Sequence, residues 1–355
     1  VPADLLVQLT GLEGSNIYWV VMIFAFYLLV AVGSVNKIIG NVYPVFGVAL
    51  LVMALMVGVS IYTQSGALPE ITEAFADHNP VAGHTPLFPG MFVSIACGAV
   101  SGFHATQSPM MARCIKQERY GLRCFYGAMI TEGVMTLVWA AAAIKFADSI
   151  DVSLYPSLTA DSTPYDKLVA LLTNGGQSGV SPSTFVNLLC EKWLGKVGLV
   201  LAILGIVAAP MSTGGTAFRG ARLIIADFMH YGQQTLLRRI IVVTPVFVAA
   251  ILMLAMKFDV LWRYVSWFNQ VLSAFTFFAI AYWLRDRSCR DGIRSWSWLI
   301  SFFPALFMTA VSSSFILIAP EGFRLPLVVG YAISATVTLA VAALFLWHAY
   351  RKPEA

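Results

Sequence analysis

The chain has 355 residues, 59% of them hydrophobic and 11% charged, with a formal net charge of +4 and a mean hydropathy of +0.78. A soluble domain carries about 25% charged residues, so this composition excludes an ordinary soluble globular protein and points to a polytopic membrane protein. The apolar stretches run near 20 residues instead of alternating over about 10, which selects helices over a closed barrel.

Taken in chain order, hydropathy predicts nine transmembrane helices, at roughly 17–35, 42–62, 90–110, 124–146, 196–218, 240–257, 266–284, 297–317 and 326–348. The connections are short except for 63–89 and 147–195. The first contains Pro69, Glu70, Glu73, Asp77 and Pro80; the second contains Asp148, Asp151, Asp161 and Asp166 and the run TNGGQSGVSPS. Both are expected to form extracytoplasmic loops, folded as caps with short helices. The five cysteines have no CxxC spacing and read as free thiols, with Cys97 in a span and Cys114, Cys124 and Cys289 near basic loops.

Charge orients the chain. If the loop holding Lys37 is cytoplasmic, alternation puts 15 of the 22 Lys and Arg inside and 12 of the 18 acids outside. The positive-inside rule therefore holds across the loops and places the C-terminus in the cytoplasm. Arg219 and Arg222 read as cytoplasmic charges. The same alternation puts Val1 outside without an export signal. That leads to the expectation that earlier spans exist and that residues 1–355 are one transporter domain from the C-terminal portion of a longer protein.

Three polar stretches interrupt the apolar spans. In SIACGAVSGFHATQSPMMARC (94–114), Gly98, Gly102, His104, Thr106, Gln107, Ser108 and Pro109 crowd one crossing. Gly loosens a helix and Pro removes a donor, so an interruption is predicted between Gly98 and Pro109. The backbone groups so freed need protein or a water-lined cavity around them, as in the broken helices of transporters. The alternative is a kinked helix whose histidine is a packing residue. Glu132 is the only acid inside the predicted spans. It shares a helix face of small and polar residues with Ala128, Thr136 and Ala140, expected to pack inward. It reads either as a protonatable group or cation ligand, or as a hydrogen-bonded helix contact. In AAPMSTGGTAFRGAR (208–222), Pro210, Gly214 and Gly215 weaken the helix, and Ser212, Thr213 and Thr216 offer hydroxyls suited to Na⁺. The alternative is back-bonding to their own helix. Asn269 and Gln270 read as interhelical hydrogen-bonding residues.

No HExxH, GxSxG, P-loop or metal-spaced Cys/His cluster occurs, and the basic residues flank membrane spans without forming a nucleic-acid patch. No metal site, cofactor or nucleic-acid partner is expected.

KIIGNVYPVFG (37–47), IACGAVSGFHATQSPMMAR (95–113), YGAMITEG (126–133), STGGTAFRGARLIIADF (212–228) and LWRYVSWFNQVLS (261–273) resemble, in order, the carbon starvation protein A family of bacterial membrane transporters. The resemblance implies a secondary transporter in the bacterial inner membrane that imports peptides, or pyruvate and similar small carboxylates, during carbon limitation. It implies H⁺ or Na⁺ as coupling ion, and kinship with the five-plus-five inverted-repeat fold of the amino acid–polyamine–cation superfamily. On that analogy span 90–110 is the discontinuous first helix of the second repeat, with Gly102, Phe103, His104, Thr106, Gln107 and Ser108 toward substrate. Span 196–218 is its third helix, with Ser212, Thr213 and Thr216 toward an ion site, and Glu132 is the separate candidate for ion coupling. A nutrient sensor on the same scaffold is the alternative. The expected partners are a small-molecule substrate and the lipid bilayer.

Overall fold

The computed structural model describes residues 16–33, 36–66, 86–95, 100–150, 162–173, 182–256, 258–290 and 296–350, with 3, 6, 7, 68, 70 and 72 as isolated positions. Among these residues every regular element is a helix. They are α1 (Asn16–Val32), α2 (Asn36–Thr63), α3 (Leu87–Ser94), α4 (Gly102–Ala112), α5 (Ala128–Asp148), α6 (Pro164–Thr173), α7 (Pro182–Phe228), α8 (Leu236–Met253), α9 (Phe258–Arg290), α10 (Leu299–Ile318) and α11 (Leu327–Tyr350). A 3₁₀ turn (Glu118–Tyr120) and a π turn (Leu122–Gly127) lead into α5.

Among the described residues, the apolar stretches read from the sequence lie mostly in helix. Six segments among the described residues are long and apolar enough to cross a membrane: Pro44–Thr63, Glu118–Asp148, Leu236–Met253, Val260–Ser288, Leu299–Ile318 and Leu327–Ala349. Their outward faces are apolar, with Leu55, Leu137 and Leu339 at 69%, 71% and 70% exposure. Helices that satisfy their own backbone and turn leucine outward are what hydrocarbon requires, and the chain is a multi-pass membrane protein.

The chain divides into two compact units, Val1–Pro80 with Val134–Leu252, and Val81–Gly133 with Met253–Ala355. In the first, α7 packs along α1 and α2. Phe218 of α7 stacks on Phe247 of α8 with ring centroids 4.3 Å apart, and Tyr27 of α1 lies 5.4 Å from Phe218. The loop expected at 147–195 is a packed cap where it is described. Thr163 N–H donates to Asp166 Oδ2 at 2.9 Å and Asp166 N–H to Thr163 Oγ1 at 3.2 Å, a reciprocal box that starts α6. Lys167 ties α6 to the end of α5 through Asp148, at 2.7 Å. Leu171, Phe185, Leu189, Cys190 and Trp193 then bury against Met53, Val57 and Phe146. Gly195, at φ 61 and ψ −152, turns the chain from this cap into the span; only glycine takes that conformation cheaply. Asp151, Asp161, most of the Gly/Ser run, and Pro69, Glu73, Asp77 and Pro80 of the other loop lie outside the described residues.

Cys190 was not among the thiols singled out by the sequence, yet it is fully buried, whereas Cys114 and Cys124 are exposed. Burial pushes the Cys190 thiol up to about 12, so its reactive thiolate is scarce at neutral pH. A variant keeping Cys190 as its sole cysteine is expected to resist maleimide in the folded state and to react after denaturation. Fast labelling of the native protein is the result that counts against the cap. Cys97, and the side chain of Cys289, lie outside the described residues.

Two expectations concern helix continuity. The stretch 208–222 does not unwind: α7 passes through Pro210, and its one non-helical residue is Gly195. Gly214 serves contact instead, since a Cβ there would lie 2.6 Å from the Tyr27 ring, and Tyr27 Oη donates to the Pro210 carbonyl at 3.1 Å. The crossing at 90–110 is interrupted within the predicted window, with Val100 and Ser101 non-helical between Gly98 and Pro109. α3 ends at Ser94, α4 begins at Gly102, and Pro109 sits inside continuous helix. Gly98 lies outside the described residues.

Candidate functional site

The second unit holds the broken helix. α3 and α4 both pack on α9, and α3 also packs on α10. A helix that stops leaves its last carbonyls without intrahelical donors. Gln270, fully buried on α9, donates its amide to the Phe92 carbonyl of α3, the interhelical bond anticipated for the Asn269–Gln270 pair. Tyr331 Oη of α11 donates to the Phe88 carbonyl at 2.6 Å. On the other side of the break, Gly102 presses on α9: an added Cβ would stand 2.4 Å from the Asn269 carbonyl oxygen and 2.7 Å from Leu272 Cβ. Gly102 therefore sets how closely α4 approaches its neighbour.

The first turn of α4 carries unmatched polar groups. Ser101 precedes it with extended backbone (φ −89, ψ 118) and makes no side-chain cap to the helix amides. Its Oγ is sealed from solvent with no partner among the described residues, and so is Nδ1 of His104 three residues on. Buried polar atoms are ordinarily matched, so two such atoms on one turn at a helix start make this turn a candidate for polar contact. Ser101 lay within the stretch the sequence flagged but was not itself singled out; an N-cap serine is common enough to carry no signal.

His104 Nε2 lies 3.3 Å from Oε2 of Glu132, and the two side chains are 39% and 36% exposed. Twenty-eight residues separate them in sequence. An imidazole that donates its Nε2–H satisfies this contact. Glu132 sits on α5 just after the π turn, and such turns alter helix register and often accompany functional sites. Ala128, Thr136 and Ala140 are exposed, so the inward packing expected of that whole face is corrected; Glu132 itself meets His104.

The other predicted residues divide by their contacts. Thr106 Oγ1 donates to the Phe103 carbonyl at 2.7 Å, Ser108 Oγ to the His104 carbonyl at 2.7 Å, and Gln107 Nε2 to Thr106 Oγ1 at 3.4 Å. These groups bond within α4. The Phe103 ring meets the His104 ring edge-on at 6.3 Å. In the first unit, Thr216 Oγ1 donates to the carbonyls of Thr213, at 2.9 Å, and Ser212, at 3.2 Å. That is back-bonding within an unbroken helix, and the Thr213 side chain is exposed. Ser212, Thr213 and Thr216 belong to a different unit from Glu132. A separate cavity of about 320 Å³ in the second unit is lined by Trp267, Ala274, Phe275, Phe278, Ser312 and Ser313, and includes none of the predicted site residues.

Comparison with known proteins gives the family. An uncharacterized membrane protein of Haemophilus influenzae (strain ATCC 51907 / DSM 11121 / KW20 / Rd) is 37% identical over 160 residues, 40% of this chain and 43% of that protein. The peptide transporter CstA of Bacillus subtilis (strain 168) is 34% identical over 110 residues, 30% of this chain and 18% of that protein. The pyruvate/proton symporter BtsT of Escherichia coli (strain K12) is 31% identical over 106 residues, 30% of this chain and 14% of that protein. The matched stretches thus span less than half the length of each of these three relatives. No solved structure gives a significant match. The family description "Carbon starvation protein CstA" matches residues 4–188, which takes in the broken helix and Glu132 but not the stretches at 212–228 and 261–273. That match covers more than half of the 355 residues, and the chain belongs to the carbon starvation protein CstA family.

Proposed function

We propose that this chain is the working part of a secondary transporter that imports small nutrients, peptides or pyruvate and similar carboxylates, and that the coupling ion is a proton. The observation that carries the reading is the His104–Glu132 contact beside the break between α3 and α4. A substrate carboxylate suits the amides that open α4, because helix starts hold anions through free N–H groups and the helix dipole. Ser101 adds a hydroxyl donor there. His104 and Glu132 then exchange a proton as substrate arrives and leaves. The Thr216 back-bonding favours H⁺ over Na⁺ at that end of α7. Support from relatives is that proteins named as a peptide transporter and a pyruvate/proton symporter match this chain. The wider reading has nine spans, a second inverted repeat beginning at α3, an inner-membrane location and a cytoplasmic C-terminus.

The test is uptake by proteoliposomes of the full-length protein. Labelled pyruvate or a labelled dipeptide is expected to accumulate when the lumen is made alkaline, with or without Na⁺. Uptake of neither under any pH or Na⁺ gradient overturns the transport reading, and strict dependence on a Na⁺ gradient overturns proton coupling.

A further inference from the structure

Arg222 is not the solvated cytoplasmic charge its sequence position implies. α7 continues helical to Phe228, so Arg222 stays on a packed helix, where it is only 6% exposed. Its Nε and Nη1 are sealed from solvent and have no acceptor among the described residues. The positive charges of Arg239 and Arg219 both bear on it. Arg239 is already engaged: Nη1 donates to the Val32 carbonyl, the last of α1, at 3.1 Å, and Nε to the Gln233 carbonyl at 3.0 Å. Like charges are thus gathered around a buried guanidinium with two unmatched nitrogens. Such a charge is costly unless an anion completes it.

We propose that Arg222, with Arg219 and Arg239, forms a binding site for a phosphate-bearing anion in the first unit, at the inner membrane edge. The anion must supply full negative charge and several acceptor oxygens. Arginine clusters match phosphate on both counts. Water brings no charge. The start of α8, where Arg238 and Arg239 sit, is on the cytoplasmic side of the predicted topology, at the level of lipid headgroups. The phosphate therefore comes either from an anionic lipid or from free phosphate. This site is independent of the His104–Glu132 pair and of the transport reading.

The experiment uses the full-length protein in neutral detergent and phosphate-free buffer. Thermal unfolding is followed with added phosphatidylglycerol, phosphatidylcholine or inorganic phosphate. Phosphatidylglycerol, inorganic phosphate or both are expected to raise Tm above the phosphatidylcholine control. The gain should vanish in Arg222→Gln and persist in Arg238→Gln, whose exposed side chain lies over Tyr231. A gain with inorganic phosphate assigns the site to free phosphate; a gain with the lipid alone assigns it to the headgroup. Native mass spectrometry gives a second readout that does not depend on how well the variant withstands heat. Retention of the bound anion should be about tenfold weaker in Arg222→Gln, a change typical of losing a charged hydrogen bond. No gain from either source, or equal retention in the two variants, overturns the proposal.

Discussion

Glu132→Gln is expected to leave solute exchange across the membrane intact and to abolish accumulation against a pH gradient. The substitution keeps the size and hydrogen-bonding reach of the side chain and removes its titration. His104 Nε2, 3.3 Å away, can still donate to the amide oxygen, so the contact persists while the exchangeable proton is lost. Both side chains are more than a third exposed. Discounted for screening, the His104–Glu132 contact contributes at most about 1 kcal/mol to stability, and the variant should fold. The functional effect is far larger. A one-unit pH gradient is equivalent to about 1.36 kcal/mol per proton, or tenfold accumulation, and an uncoupled variant should equilibrate its solute instead. The measurement is paired counterflow and gradient-driven uptake in proteoliposomes of the full-length protein. Wild-type accumulation by Glu132→Gln would make the pair a structural contact. Loss of counterflow as well would mean that substrate binding itself had been damaged, and would remove the evidence for a coupling role.

Gly102→Ala is expected to lower stability and transport together. A Cβ at Gly102 would lie 2.4 Å from the Asn269 carbonyl oxygen and 2.7 Å from Leu272 Cβ, both inside van der Waals contact. The nearer atom belongs to the backbone of a long helix and cannot swing aside as a side-chain tip does. α4 must move away from α9, at a cost of about 1–3 kcal/mol for overpacking a fitted interface. That movement also shifts Ser101 and His104, which flank Gly102 in the first turn, away from the break. The melting temperature of the full-length variant should fall, with initial uptake rates falling further than folded protein yield. Wild-type stability and uptake would show that α4 and α9 do not pack this closely in the membrane.

How much of this was legible beforehand depends on the range of each interaction. That span 90–110 breaks between Gly98 and Pro109 was readable from the glycines and proline crowded there, and Val100 and Ser101 are non-helical within that window. Pro109, the far limit of that window, itself sits in helix, because a proline mid-helix forfeits one donor and is tolerated when a helix is otherwise held. Gln270 and Gly102 hold the helices on either side of the break, α3 and α4, to α9. Gly195 is a second such case, because the predicted boundary between outer loop and span at 195/196 coincides with a backbone turn that glycine alone takes readily. For Ser212, Thr213 and Thr216 the sequence offered two uses for the same hydroxyls. A helix carbonyl one turn back is always within reach, and for Thr216 that nearer partner is the one observed.

From sequence alone came the membrane character of the chain, the positions of its apolar helices and the resemblance to its family. These follow from hydropathy over about 20 residues and from motifs read in order, both of which are local. Tertiary structure decided the pairings: His104 with Glu132 across two helices, Gln270 with the Phe92 carbonyl, and Arg222 buried among other arginines. A side chain's type fixes what it can donate, accept or titrate. Which partner it meets depends on where packing sets a distant helix, and neither spacing nor composition encodes that distance.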